Sequence, residues 1–134
     1  MDMNKFTQRA QQAIAESQDI ALRHQHQQLD GEHLLAALVA QQDGLIPRLL
    51  QLMNIDVPAF RADVDRMLSR LPSVQGGSQL YASRRYGELL AKAQEMTKQF
   101  SDEYAGVELI FLALLDERGT PSAQLLTQYG ITKE

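Results

Sequence analysis

Apolar and small side chains recur along this chain at three- and four-residue steps, and the pattern breaks wherever turn-forming residues cluster. Phe6, Ala10, Ala13, Ile14, Ser17, Ile20 and Ala21 line one face of a first helix, with Thr7 placed to cap it. That period stops within Arg23 to Gln28, and a second helix is expected after Asp30, with Glu32 favouring its dipole, until Asp43-Gly44 ends it. Leu45 to Ile55 reads as a third helix, with Pro47 tolerated in its first turn and Leu49, Leu50, Leu52 and Met53 as a broad apolar face. Asp56-Val57-Pro58 opens a fourth, carrying Phe60, Val64, Met67, Leu68 and Leu71, and Leu71-Pro72 closes it. Residues 72–80 have the makeup of a flexible connector. A fifth helix restarts near Ser83 and runs through Leu89, Leu90, Ala93, Met96 and Phe100; a sixth carries Glu108 to Leu115; a seventh opens on Thr120-Pro121. Strands find almost no support, because short β-branched runs bounded by turns are absent.

The chain also echoes itself. Displaced by 76 positions, Glu32 falls on Glu108, Ala37 on Ala113, Leu38 on Leu114, Leu49 and Leu50 on Leu125 and Leu126, and Ile55 on Ile131, without a gap. Such a match of apolar helical positions is the mark of a duplicated unit. The expected fold is all-α: about seven helices in two pseudo-symmetric repeats, residues 4–71 and 81–134, within one domain. The counterpart of the fourth helix would begin near Thr132, so the second repeat lacks its last helix, and the abrupt stop favours a piece of a longer protein.

Composition removes several function classes. A net charge of -4 over 134 residues gives no electrostatic reason to approach nucleic acid or an anionic membrane. With no cysteine there is no disulfide framework or thiolate site, and the polar N-terminus holds no apolar signal core; the chain reads as soluble and cytoplasmic. His24 and His26, two apart, would diverge on a helix, and Glu32-His33 lacks the second histidine of a zinc helix, so no metal is expected. No nucleophile arrangement is readable, no phosphate-binding glycine loop exists, and Gly76-Gly77 belongs to the connector. No catalytic residue and no cofactor are expected within these residues.

Thr7 at the first helix, the Gly31-Glu32-His33-Leu34-Leu35-Ala36-Ala37-Leu38 echo, Leu71-Pro72 before a glycine-rich stretch, and Glu108 leading Leu109 to Leu115 together resemble the Clp N-terminal domain, most closely its ClpB-type form. Here Gly31 and Val107 precede the two glutamates, which removes the hydroxyl cap usual in the family and leaves Asp30 or Gly106 to serve. The resemblance implies a non-catalytic, substrate-receiving module on a homohexameric AAA+ chaperone that works with a DnaK-type chaperone on unfolded or aggregated polypeptides; ATP and Mg belong to ATPase modules outside these residues. It also implies an apolar groove on the fifth and sixth helices with Leu90, Met96 and Leu109, and roles in substrate handling for Thr7, Asp102 and Glu108.

The repeat supplies an argument of its own for the groove. Where only the second unit is apolar or aromatic, extra apolar surface is expected: Tyr86 against Ala10, Leu89 against Ala13, Phe100 against His24, Tyr104 against Gln28 and Leu109 against His33. Core packing is the plainer reading for Leu89, Phe100 and Tyr104, whereas Leu109, matched to a histidine, is expected to be exposed. For Thr7 and Glu108 capping is the plainer role, and for Asp102 capping and function weigh equally. Two other readings stand beside substrate capture. One is a docking platform for a folded adaptor, as in Clp A and Clp C unfoldases serving a protease; the other is a structural spacer.

Overall fold

The computed structural model describes residues 2–73 and 79–132. After a short 3-10 turn, Met3–Lys5, the order is α1 (Gln8–Arg23), β1 (Gln28–Leu29), α2 (Gly31–Ala40), α3 (Leu45–Leu52), α4 (Val57–Ser69), β2 (Tyr81–Ala82), α5 (Arg84–Gln99), α6 (Val107–Leu115) and α7 (Pro121–Gln128). The all-α expectation holds, and the 76-residue displacement carries α1 onto α5 and α3 onto α7 end for end. Residues 74–78, at the centre of the expected connector, and residues 133 and 134, where a last helix was sought, lie outside the described residues. Among the described residues no helix is long and apolar enough to cross a membrane.

The helix ends follow from local chemistry. Thr7, Asp56, Ser83 and Thr120 each accept a hydrogen bond from the backbone N–H three residues on, so four helices start at the residue the sequence marks. α1, α3 and α5 end where Gln25, Asn54 and Ser101 turn into the left-handed region, letting the next N–H reach back to a free carbonyl of the last turn. α3 is shorter than expected for this reason, and Leu52 is 75 % exposed and Met53 partly so, not part of an inward face.

α2 is buried along nearly its whole length and touches each of the other six helices, as suits a helix apolar all round. α6 takes the matching place in the second repeat, with Leu109, Ile110, Phe111, Ala113 and Leu114 buried. Around this pair every apolar position read for α1 is buried, Ser17 included, whose hydroxyl meets Tyr86 Oη at 2.9 Å.

Strands were not expected, yet two backbone exchanges join the repeats. Gln28 and Leu29 pair in parallel with Tyr81 and Ala82, and Phe6 pairs in parallel with Ala105. These are one contact made twice: Thr7 N–H donates to the Ala105 carbonyl at 2.9 Å, and Ser83 N–H donates to the Leu29 carbonyl at 2.9 Å. Each repeat lends the residues before its first helix to the loop before the other's second helix. Ladders two residues long leave no alternation for a sequence to display.

An ion network fastens the same seam on one side. Arg85, on α5, donates to both Glu32 oxygens at 2.8 Å and to both Glu117 oxygens at 2.7 and 2.8 Å, and lies 3.1 Å from Asp30. Glu32, almost wholly buried, also accepts from the Ser122 backbone N–H and hydroxyl at 3.1 and 2.8 Å. Its carboxylate, ionised in the first turn of α2 as expected, therefore also serves the first turn of α7. Burial alone would raise the Glu32 carboxyl; the Arg85 hydrogen bonds and charge, then the two bonds from Ser122, outweigh it and hold the group below its ordinary range. Gly31 leaves room here, since a Cβ at that position would lie 2.7 Å from the Arg85 guanidinium and 2.8 Å from Leu89 Cδ1 and would make those side chains shift.

Removing one partner of such a pair strands the other charge in a dry site. Arg85→Ala is expected to cost about 3–5 kcal/mol in urea unfolding, and Arg85→Lys to recover little of it, since an ammonium cannot chelate two carboxylates. Leu109→Ala, emptying a fully buried position on α6, is expected to lose about 2–5 kcal/mol by the same measurement. An unchanged midpoint in either variant would contradict the packing described.

Candidate functional site

The residues expected to line a groove on α5 and α6 lie inside the core. Leu89, Leu90, Met96 and Leu109 are all buried, and the expected exposure of Leu109 is corrected to 1 %. The reason is visible in the other repeat: His33, the polar residue that made the Leu109 position look like surface, is itself fully buried. Both positions point inward, one closed by apolar packing and the other by hydrogen bonds. Leu89 packs so closely on α2 that its Cδ1 would lie 2.8 Å from a Cβ at Gly31. These four residues fix α5 and α6 within the core.

Phe100 and Tyr104 behave differently: each is 49 % exposed. They flank the tight turn at the end of α5, where Ser101 and Asp102 N–H groups reach back to the carbonyls of Lys98 and Thr97. Asp102 is exposed between them. Its backbone caps the helix, but its carboxylate stands at the negative end of the α5 dipole, the wrong end for a stabilising charge. The backbone exchange at Ala105 sets this corner beside the N-terminal turn that carries Met3, also exposed.

Thr7 and Glu108 meet at a second place. With Arg9, Leu45, Arg48 and Val107 they line an open cleft of about 430 Å³ between the starts of α1, α3 and α6. It is the counterpart of the region that the Arg85 network closes. Arg9 matches Arg85, Glu108 matches Glu32, Gln41 matches Glu117, and Ile46 matches Ser122. On this side the network does not assemble. Arg9 instead donates to the Gln42 carbonyl at 2.7 Å, and among the described residues Glu108 makes no ion pair. α3 and α6 begin at Gly44 and Gly106 with no side-chain cap, and a side chain at Gly106 would collide with the Glu108 carboxylate. Thr7 caps α1 through its hydroxyl, as expected, with Ala10 N–H at 3.1 Å. Asp102 belongs to the other corner.

Sequence reasoning passed over Arg9 and Arg85, although the same displacement superposes them. It also treated the histidines as if one straight helix carried them. Because Gln25 turns the chain, the His24 and His26 rings stack at 5.4 Å, and His26 Nδ1 lies 2.8 Å from His33 Nε2.

Comparison with known proteins agrees with this arrangement. The family described as "Clp repeat (R) N-terminal domain" matches residues 5–129. The chain is 41 % identical over 138 residues to the chaperone protein ClpB of Clostridium tetani and 42 % identical over 139 residues to that of Nitratidesulfovibrio vulgaris; in both the whole chain is covered, and it spans 16 % of the relative. Among solved structures, the N-terminal domain of Hsp104 from Candida albicans superposes with a TM-score of 0.84 at 26 % identity, covering 96 % of this chain and 83 % of the other. The N-terminal domain of ClpD from Arabidopsis thaliana shares the fold, with a TM-score of 0.71 at 20 % identity over 96 % of this chain and 89 % of the other. From the doubled helical unit, the paired glutamates at its two second helices and these matches, the chain belongs to the Clp N-terminal domain family, in its ClpB-type branch.

Proposed function

We propose that this domain receives unfolded or aggregated polypeptide for a ClpB-type AAA+ chaperone, holding it weakly at the α5–α6 corner through Phe100 and Tyr104, with Asp102 as a polar neighbour. The observation that carries this reading is the half-exposure of both aromatics at positions where the first repeat has His24 and Gln28. Unfolded chains share exposed apolar side chains rather than a sequence, and aromatics offer large contact area at low entropic cost. Leu89, Leu90, Met96 and Leu109 contribute from beneath, by keeping α5 rigid against α6. In this reading the chain's parent is a homohexamer in the cytoplasm, working with a DnaK-type chaperone, and ATP and Mg act in ATPase modules outside these residues.

The open cleft favours a second reading, docking of a folded adaptor. Thr7, Arg9, Arg48 and Glu108 offer a polar, mixed-charge surface there, of the kind that gives orientation and partner choice more than raw affinity.

Amide NMR during titration with a permanently unfolded polypeptide separates the two. Shifts are expected at residues 96–105, and the double variant Phe100→Ser, Tyr104→Ser is expected to lose them with its spectrum otherwise intact. Loss of one or two such anchors commonly weakens binding by about tenfold or more. A silent titration, or shifts confined to Thr7, Arg9, Arg48 and Glu108, would remove the polypeptide reading and turn the search to an adaptor.

A further inference from the structure

Three histidines meet where α1 hands over to α2, and the hydrogen bonds of two of them are fully specified. Asp30 N–H donates to His33 Nδ1 at 2.9 Å. A backbone amide can only donate, so Nδ1 is bare and the ring proton of His33 sits on Nε2. That proton is given to His26 Nδ1, 2.8 Å away, which must be bare in turn. Both rings are therefore neutral, with their tautomers set from one end by the backbone. There is no room for another proton. Added at His33 Nδ1 it would face the Asp30 amide; added at His26 Nδ1 it would face the His33 N–H, and moving that proton aside only brings the collision back to Asp30.

Asp30 is what makes this junction consequential. Its backbone is held by His33, while its carboxylate accepts from Gly31 N–H and from the Ser83 hydroxyl, each at 2.9 Å, and lies 3.1 Å from Arg85. Ser83 and Arg85 belong to the second repeat and begin α5. We propose that the His26–His33 pair is a proton-sensitive latch on the seam between the repeats: one proton taken up here breaks the cap of α2 and loosens the hold of Asp30 on Ser83 and Arg85.

Burial and the mutual repulsion of the histidines favour the neutral state. Burial first, then the charge of the neighbouring His26, push His33 down to about 4, against the opposing pull of the Glu32 and Asp30 carboxylates. Burial and the charge of His24 lower His26, opposed by backbone at Leu68 of α4. Arg61 and Asp65 of α4 share a hollow with His24 at the outer edge of the cluster, and Arg85 lies beyond the two carboxylates. Above the ordinary histidine range both folded and unfolded chains are neutral at these sites, and nothing is lost. As pH falls from about 6.5 toward about 4, the unfolded chain binds a proton that the folded chain refuses, so stability drops.

From His33 alone the folding equilibrium constant is expected to fall roughly twentyfold between about pH 7 and about pH 5, with the folded value near 4. The test is urea unfolding of this chain at both pH values, beside His33→Leu, the residue the second repeat carries at the matching position. The wild type should lose stability over that interval and the variant should lose much less, even though it starts lower for want of its cap. Nitrogen-15 shifts of the imidazoles give a readout without mutation: at pH 7 both rings should be Nε2–H tautomers, and His33 should stay neutral at pH 5. Exchange protection at Gly31 and Ser83, corrected for intrinsic rates, should fall on acidification in the wild type only. Equal acid losses in the two proteins, or His33 protonating near pH 6.5 with the fold intact, would overturn the latch. Should His33→Leu fail to fold, the wild-type ring shifts decide: His33 neutral at pH 5 while stability falls supports the latch, and protonation near pH 6.5 with the fold intact overturns it.

Discussion

A partly buried guanidinium must find carboxylates, and at Arg85 that requirement ties three helix starts together, those of α2, α5 and α7. Asp30 and Glu32 come from the beginning of α2, Glu117 from the turn before α7, and Ser122 closes the far side of Glu32 from the first turn of α7. A buried ion network is weak evidence for net stability, because its desolvation cost consumes much of the Coulomb gain. It is better understood as a device for register. The apolar faces of α2, α5 and α7 would tolerate small slides, whereas two bidentate pairs to one planar group do not. The two backbone exchanges, at Phe6 with Ala105 and at Leu29 with Ala82, impose the same order on the loops.

Duplication supplied two copies of this arrangement, and only one is closed. In the other, Glu117 is replaced by Gln41 and Ser122 by Ile46, so Arg9 has neither the second carboxylate nor the bracing hydroxyl and turns to a backbone carbonyl instead. The domain thus has a locked side and an open one. The open side brings Thr7 and Glu108 together, while the aromatic corner lies at the far end of α5, with Asp102. Residues grouped by sequence reasoning as one substrate surface fall into three places: a polar cleft, an exposed corner, and the core between α5 and α6.

Helix starts and the doubled architecture were legible in the chain because they rest on local chemistry and on self-comparison. Thr7, Asp56, Ser83 and Thr120 each cap through an oxygen three residues from its partner, and Thr7 and Ser83 coincide under the same displacement that aligns Glu32 with Glu108. The site was less legible. Treating a histidine as a sign of surface misplaced Leu109, since His33 is buried by bonding to Asp30 and His26 rather than by being apolar. Treating the histidines as points on a straight helix hid their cluster, since Gln25 reverses the chain between them.

The sequence by itself determined the helical class, most helix boundaries, the apolar face of α1 and the twofold plan, because each depends on residues within a few positions or on a repeat that can be laid over itself. Only the tertiary structure decided which of two equivalent carboxylates is locked by an arginine, which extra apolar residues sink into the core and which stay half-exposed, and that two-residue strands join the repeats. Those outcomes depend on how much space and how many partners each position finds across the seam, and no local pattern of side chains records either.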